Sequence, residues 1–249
     1  MKSIIRGLLL TAAVGASAVS LAEEFTVEGG ISWWNFEGDD AWGGDVTAFF
    51  NPVIIGTYPR AEAPFLNQAG NLRIDYTRDN NGDYDLTSGM LEVYSNNYYA
   101  ALNASRFSNG FDLDSIGVRI GRMVTPATRV TIGWEQVDID EFREMDIFTL
   151  GAKRVFTLGD GRAINFETSL GAADNGGTDF VYDVLADYYP TPSLSFGARY
   201  RGIGSDDQYG FGSRYFFLPN WSGEVEWLRE ESIDRGRDDI IQVRLGARF

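Results

Sequence analysis

The stretch Asp239-Ile-Ile-Gln-Val-Arg-Leu-Gly-Ala-Arg-Phe249 alternates between apolar and polar residues. Counted back from its last residue, every second position is apolar and the positions between are charged, polar or small: Phe249, Ala247, Leu245, Val243 and Ile241 against Arg248, Gly246, Arg244 and Gln242. A period of two residues is that of a β-strand, because successive side chains point to opposite faces. The stretch therefore predicts a strand with one apolar and one polar face.

The N-terminal region predicts export from the cytoplasm. Lys2 and Arg6 precede an apolar run over Leu8–Ala16, and Ser20 and Ala22 place small residues where a signal peptidase would cleave. This pattern is typical of a secretory signal peptide, and the run is shorter than the roughly 18 residues of a membrane-spanning helix. We therefore expect a signal peptide over residues 1–22.

The composition excludes several classes of function. The chain has no cysteine and no histidine, and its formal charge is −15. Without histidine, Ser-His-Asp hydrolysis and histidine-built zinc sites are impossible. The strong negative charge argues against nucleic acid as a partner. We expect no cofactor and no metal.

Alternating segments recur along the rest of the chain. We count about 14 of them, with 12 or 16 as alternatives, at the roughly 9–11 residues that a tilted membrane-crossing strand needs. The weakest are a short second strand over residues 45–51 and the region Val53–Gly70, to which the sequence assigns no role. One set of connections is short and carries proline, as at Thr125–Thr128. The alternate set is acidic and rich in Gly and Asn, as at Asp79–Asp83.

Alternation alone also occurs in soluble β-sandwiches, so it does not decide the fold class. Four features together favour a membrane barrel: the signal peptide, the terminal Phe249, the contrast between the two sets of connections, and the missing cysteines. We therefore predict an all-β fold, a single transmembrane antiparallel up-and-down β-barrel formed by residues 23–249. Its predicted location is the outer membrane of a Gram-negative bacterium.

Over nearly its whole length after residue 22, the chain resembles the porin-like outer-membrane proteins of Gram-negative bacteria. The string Pro59-Arg-Ala-Glu-Ala-Pro-Phe-Leu66 is similar to a Pro-x-Ala-Glu-Ala-x-Phe-Leu string in a group of uncharacterised porins of proteobacteria. The resemblance implies a channel, without a particular solute. It also implies that Phe249, with Leu245, belongs to the signal that the barrel-insertion machinery reads.

The polar faces of the predicted strands carry charges of both signs, and we predict that they line the lumen. The pore-lining candidates are Glu28, Arg73, Asp75, Glu92, Arg119, Glu135, Lys153, Glu167, Asp183, Asp187, Arg199, Arg201, Arg214, Glu224, Glu226, Arg244 and Arg248. About 14 strands enclose more space than the filled interior of eight strands and less than the channel of 16–18. We therefore predict a porin-like channel for passive diffusion of small hydrophilic solutes or ions. Outer-membrane lipid, lipopolysaccharide and the insertion machinery are its other expected partners.

Other functions stay open at this point. The same charges can pair across strands, which suits a closed structural or adhesive barrel with a salt-bridged lumen. The modest length of the connections favours that alternative, since the sequence of none of them predicts a loop that folds inward as a constriction. Glu224 and Glu226 share a face and are the one candidate pair for acid/base catalysis, but such pairs are more often lumen charges, and we predict no enzyme. The acids of Asp79–Asp83 lack the spacing of an EF-hand loop, so we expect solvated turn residues there.

Overall fold

The computed structural model describes residues 24–249 except 37–38, 83, 109–111, 140–142, 175 and 233–235. The predicted signal peptide and Asp83 lie outside the described residues. Fourteen antiparallel strands form one closed barrel, in which each strand pairs with its neighbours along the chain. The predicted up-and-down barrel is therefore confirmed, with 14 strands rather than 12 or 16.

The first and last strands pair with each other and close the cylinder. The strands are β1 (Glu24–Phe36), β2 (Asp39–Ile54), β3 (Asn71–Asp79), β4 (Asp85–Ser95), β5 (Tyr98–Ser108), β6 (Asp112–Thr125), β7 (Thr128–Ile139), β8 (Arg143–Gly159), β9 (Arg162–Asp174), β10 (Thr178–Thr191), β11 (Leu194–Ile203), β12 (Asp206–Leu218), β13 (Trp221–Ser232) and β14 (Gly236–Arg248). Ile31 of β1 lies opposite Leu245 of β14. Beyond β14, the N–H of Phe249 donates to Val27 O at 2.8 Å. The chain is thus hydrogen-bonded to β1 up to Phe249.

The second strand is longer than predicted, with 16 residues rather than a short strand over residues 45–51. Gly43 and Gly44 interrupt the alternation of apolar and polar residues in its first half, which hides the strand in the sequence. A Cβ added at Gly43 would lie 2.5 Å from Tyr76 O on β3, so the close approach of the two backbones requires glycine. Pairing with β1 and β3 therefore sets the length of β2.

Apolar side chains point out of the barrel and polar ones point into it. Ile74, Leu150 and Val225 are 55 %, 64 % and 55 % exposed, whereas Ser32 and Ser195 on the inner face are buried. In water an exposed apolar belt around a whole protein would be unfavourable, but lipid chains cover it at no such cost. The two faces predicted from the sequence therefore correspond to a lipid-facing wall and a polar lumen.

The two ends of the barrel differ in their connections. Glu24 and Phe249, the first and last described residues, lie at one end, the terminal end, where five connections are two-residue turns: 96–97, 126–127, 160–161, 192–193 and 219–220. Asn96 and Asn97 have φ values of 49° and 69°, as a tight type I′ hairpin requires. The acidic connections lie at the opposite end, the loop end. Since short turns face the periplasm in bacterial barrels, the terminal end is the periplasmic one.

One connection at the terminal end is much longer than the others. Residues 55–70, here called the inner segment, join β2 to β3. They contain a 3₁₀ turn over Arg60–Glu62 and, within the described part of the chain, the only α-helix, Ala63–Leu66. No described helix has the length and hydropathy needed to cross a membrane.

Candidate functional site

The inner segment folds into the terminal end of the lumen. Glu62 is 5 % exposed and accepts a hydrogen bond from the hydroxyl of Tyr189 on β10 at 2.8 Å. Its other carboxylate oxygen lies 3.0 Å from Lys153 Nζ on β8. A buried carboxylate is costly unless it is paired, and here two strands of the wall supply the partners.

Phe65, three residues later, anchors the same segment through apolar and cation–π contacts. Its ring is buried in a cluster with Met123, Val155 and Tyr189. Arg129 Cζ and Lys153 Nζ lie 5.6 Å and 5.0 Å from the ring centroid. These contacts tie the segment to β6, β7, β8 and β10, which lie across the lumen from β2 and β3.

A third set of contacts holds the segment to the turns and to β14. The N–H of Arg60 donates to Pro192 O at 2.8 Å, and Arg60 O accepts a hydrogen bond from the Arg248 guanidinium at 3.0 Å. The side-chain amide of Asn67 donates a hydrogen bond to the carbonyl oxygen of Ile54 on β2 at 3.0 Å. The inner segment therefore crosses the terminal end and narrows it. The expectation that no connection forms a constriction was wrong.

The sequence carried one signal of this segment that the sequence analysis did not use. A connection of 16 residues with buried apolar residues stands beside turns of two residues at the same end. Long connections of this kind are usually functional or have packing of their own. Glu62 and Phe65 are also fixed positions of the string that resembles other porins, but only barrel closure brings Lys153 and Tyr189 to them.

A network of charges links β1, β2, β12, β13 and β14. The Arg244 guanidinium donates to both oxygens of Asp45, at 2.8 and 2.7 Å, and to Glu224 at 2.6 Å. Arg214 donates to the second oxygen of Glu224 at 2.8 Å. The network crosses the seam where the barrel closes, so these ion pairs join the two ends of the chain. Since two guanidiniums hold Glu224, the geometry is not that of a free acid/base pair with Glu226.

A second network lies on the opposite wall. Arg129, 6 % exposed, lies 3.5 Å from Glu92 and donates to the Tyr94 hydroxyl at 2.7 Å. Tyr99 donates to Glu92 at 2.5 Å, and its ring centroid lies 3.9 Å from Arg129 Cζ. Arg129 is thus fully engaged with its neighbours, with little freedom to meet a solute.

Four cavities run along the lumen, and each shares at least one lining residue with the next. The terminal cavity of about 420 Å³ and the middle cavity of about 440 Å³ both touch Ala61 of the inner segment. The arginine cavity of about 190 Å³ and the mouth cavity of about 470 Å³ follow toward the loop end. Arg199 borders the first three cavities and Asp183 the last two. A polar path therefore leads from the loop end to the inner segment.

All the predicted pore-lining residues lie at inward-facing strand positions, and all but Asp75 and Glu135 border one of these four cavities. One group forms ion pairs along the wall: Glu28, Arg73, Asp75, Glu92, Lys153, Glu167, Arg214, Glu224, Arg244 and Arg248. The other group makes no ion pair with any described residue: Arg119, Glu135, Asp183, Asp187, Arg199, Arg201 and Glu226. Asp187 accepts a hydrogen bond from Asn165 at 3.1 Å. Their part in conduction stays a prediction.

Several residues of the lumen were missed in the sequence analysis. Asp45, Glu62 and Arg129 are among the most buried charges of the described chain. The alternation pattern could have predicted Arg129 as a lumen residue, because it shares the inward-facing register of Thr131 and Glu135 on β7. The pattern could not predict Asp45, because it directly follows the hidden start of β2. It could not predict Glu62 either, because Glu62 lies within the inner segment, outside any strand.

The comparisons with known proteins agree with this architecture. The family model described as "Putative general bacterial porin" matches residues 42–249. No curated protein matches the sequence significantly.

Among solved structures, the chain is similar to the Acinetobacter baumannii outer membrane protein Omp33, with a TM-score of 0.75 and 22% identity over 91% of this chain and 99% of that one. It is also similar to a bacterial polysaccharide outer membrane secretin, with a TM-score of 0.54 and 12% identity over 90% of this chain and 98% of the other. A third similar structure is the KdgM porin in complex with disordered oligogalacturonate, with a TM-score of 0.51 and 10% identity over 89% of this chain and 99% of that one. At these identities the likeness supports the fold alone.

Proposed function

The chain belongs to the bacterial porin family whose model it matches, and on that premise we propose that it is a narrow channel for small hydrophilic solutes and ions. It resides in the outer membrane of a Gram-negative bacterium, where the apolar wall faces lipid. Solutes would enter at the loop end and leave past the inner segment into the periplasm.

The observation that carries this proposal is the row of cavities inside the closed barrel, each of which shares a lining residue with the next. Their walls carry charges and hydroxyls, which can replace part of the hydration shell of a small solute. A barrel filled by its own side chains would leave no such row of spaces. The charged pairs occupy the wall positions, and the path between them stays open along Arg199 and Asp183.

The inner segment sets the size of solute that we expect to pass. It crosses the terminal end and is held by Glu62, Phe65 and Arg60. Because this segment lies across the periplasmic end, we infer that it is where the size of a passing solute is limited. We therefore expect a small single-channel conductance and exclusion of larger sugars.

Planar-bilayer recording with purified, folded protein tests the channel directly. We expect discrete conductance steps, and swelling of liposomes in small polar solutes but not in oligosaccharides. A folded protein that seals both membranes would instead support the closed structural barrel. Heat-dependent gel migration, which reports the folded barrel, keeps a folding failure apart from a closed lumen.

Four further assignments complete the proposal. Residues 1–22 act as a signal peptide, and residues 23–249 form the mature barrel. Phe249 and Leu245 are read by the insertion machinery, and lipopolysaccharide contacts the outer wall near the loop end. We propose a channel rather than an enzyme, and the two arginines that hold the Glu224 carboxylate disfavour the one candidate acid/base pair.

A further inference from the structure

Three inward arginines have an acid directly opposite them on a neighbouring strand and form ion pairs with it. Arg214 and Arg244 both lie opposite Glu224, and Arg248 lies opposite Glu28. Directly opposed side chains are close enough to pair, so each of these arginines has an acid within reach. Their ion pairs belong to the wall.

Arg119 and Arg199 have no such neighbour. Arg199 on β11 lies opposite Leu185 and Gly210. Arg119 on β6 lies opposite Ala101 and Gly133. Apolar or absent side chains at these positions leave both guanidiniums without a wall partner, and they form no ion pair within the residues described.

The Nε atom of Arg199 independently points to a polar ligand in the lumen. It is buried and has no hydrogen-bond partner in the described part of the protein. A buried N–H without a partner is unfavourable, and such groups in native proteins usually have a ligand, an ion or water. Its guanidinium borders three of the four cavities, so a ligand in the lumen can reach it.

Both unpaired arginines border the arginine cavity, although β6 and β11 lie in different parts of the wall. Its volume of about 190 Å³ is the share of about six water molecules in the liquid, enough for a small organic anion. Thr131 and Ser169, both at inward-facing positions, supply further hydroxyls around it. A solute with two acidic groups can therefore contact both guanidiniums at once.

We propose that the arginine cavity is a binding site for small organic dicarboxylates on their way through the lumen. The planar guanidinium fork matches a carboxylate with two parallel hydrogen bonds, and Arg119 and Arg199 provide one fork for each end of the solute. Of the two acids at the cavity, Glu167 is paired with Lys153, and Asp183 faces the mouth cavity as well. The inference rests on the channel function, since it names the solute class.

Calorimetric titration of the folded protein in detergent with succinate tests the site without requiring conduction. We expect succinate to bind and its uncharged analogue succinamide not to bind. Arg119→Gln and Arg199→Gln should each weaken binding at least about tenfold, because each removes a charge-assisted pair. Asp183→Asn should strengthen binding, since it removes a like charge. The matched control is Arg106→Gln, on the outer face at the loop end, which should bind as the wild type does.

The outcomes separate this inference from the channel function. Equal binding of succinamide, unchanged binding by the Arg119→Gln/Arg199→Gln double variant, or tighter binding of inorganic phosphate than of succinate would overturn the dicarboxylate site. A wild-type protein that conducts in bilayers but binds no succinate would do the same, with the channel intact. A protein that binds succinate but seals the bilayer would support the site and contradict the channel. Arg199→Lys, which keeps the charge but loses the fork, should give intermediate affinity if the glutamine variant misfolds.

Discussion

At the scale of single residues, the inward arginines differ in whether they form an ion pair. Glu224 faces Arg214 on one side and Arg244 on the other, and all three are engaged. Arg199 faces Leu185 and Gly210 and forms no ion pair with a described residue. We therefore expect Arg214 and Arg244 to act as wall contacts and Arg199 to act as a solute contact.

Arg244→Gln is expected to destabilise the barrel by about 3 kcal/mol, because it leaves Asp45 and Glu224 in the interior without their main partner. Urea unfolding in lipid vesicles measures the loss. The matched control is Arg229→Gln, whose pair with Asp239 at the loop end is solvent-accessible and is worth at most about 1 kcal/mol. Equal losses for the two variants would contradict the role of Arg244 at the seam.

At the scale of elements, the inner segment and the last strand do different work. The inner segment forms no strand of the wall and fills the periplasmic end through Glu62 and Phe65. Strand β14 contributes its backbone to the seam, and its outward Leu245 is 42 % exposed. One element therefore controls the width of the path, and the other closes the cylinder.

Glu62→Gln should widen the terminal end. The substitution removes the charge that Lys153 pairs with, although Lys153 keeps Glu167 at 3.3 Å. A loss of about 2 kcal/mol would shift the segment about thirtyfold toward release. Single-channel conductance and the size limit for solute entry should both increase. Tyr58→Ala, an exposed side chain of the same segment, is the control, and an unchanged conductance in Glu62→Gln would show that the segment does not limit flow.

Phe249→Ala should slow assembly far more than it lowers stability. The side chain of Phe249 is 51 % exposed, and its seam contacts run through backbone atoms that alanine retains. The folded fraction in isolated outer membranes should therefore fall, while the free energy of unfolding of the assembled barrel changes little. Phe217→Ala, another exposed aromatic near the terminal end, is the control. A matching loss of assembly in both variants would argue against a recognition signal at Phe249.

At the scale of the whole molecule, lipid outside and water inside explain the distribution of every residue type. Leu150, at the middle of β8, is 64 % exposed on the outer wall. Leu150→Arg should cost about 2–4 kcal/mol of unfolding free energy in bilayers, as expected for a charge facing lipid near the midplane. Glu135→Gln, on the inner face of the adjacent strand, should be nearly neutral. If both variants were neutral, or if the wild type stayed a compact monomer without detergent, the outer wall would not face lipid.

The sequence by itself determined the barrel, its approximate number of strands, its two faces and the alternation of its two sets of connections, and the structure fixed the number at 14. The two-residue period of apolar and polar side chains, and a turn every dozen or so residues, are local properties. Each can therefore be identified from the few residues of a single strand and its turn. Where glycines erased the alternation, as at Gly43 and Gly44, the length of the strand could not be predicted.

Only the tertiary structure decided which charges pair, which stay free, and where residues 55–70 go. The partners are far apart in the chain: Arg244 bonds Asp45 across 199 positions, and Tyr189 bonds Glu62 across 127. Such contacts depend on strand register and on closure of the cylinder, and a one-residue slip would reverse every side chain. The pattern of a single strand says which face a charge occupies, but the neighbouring strands decide what that charge meets.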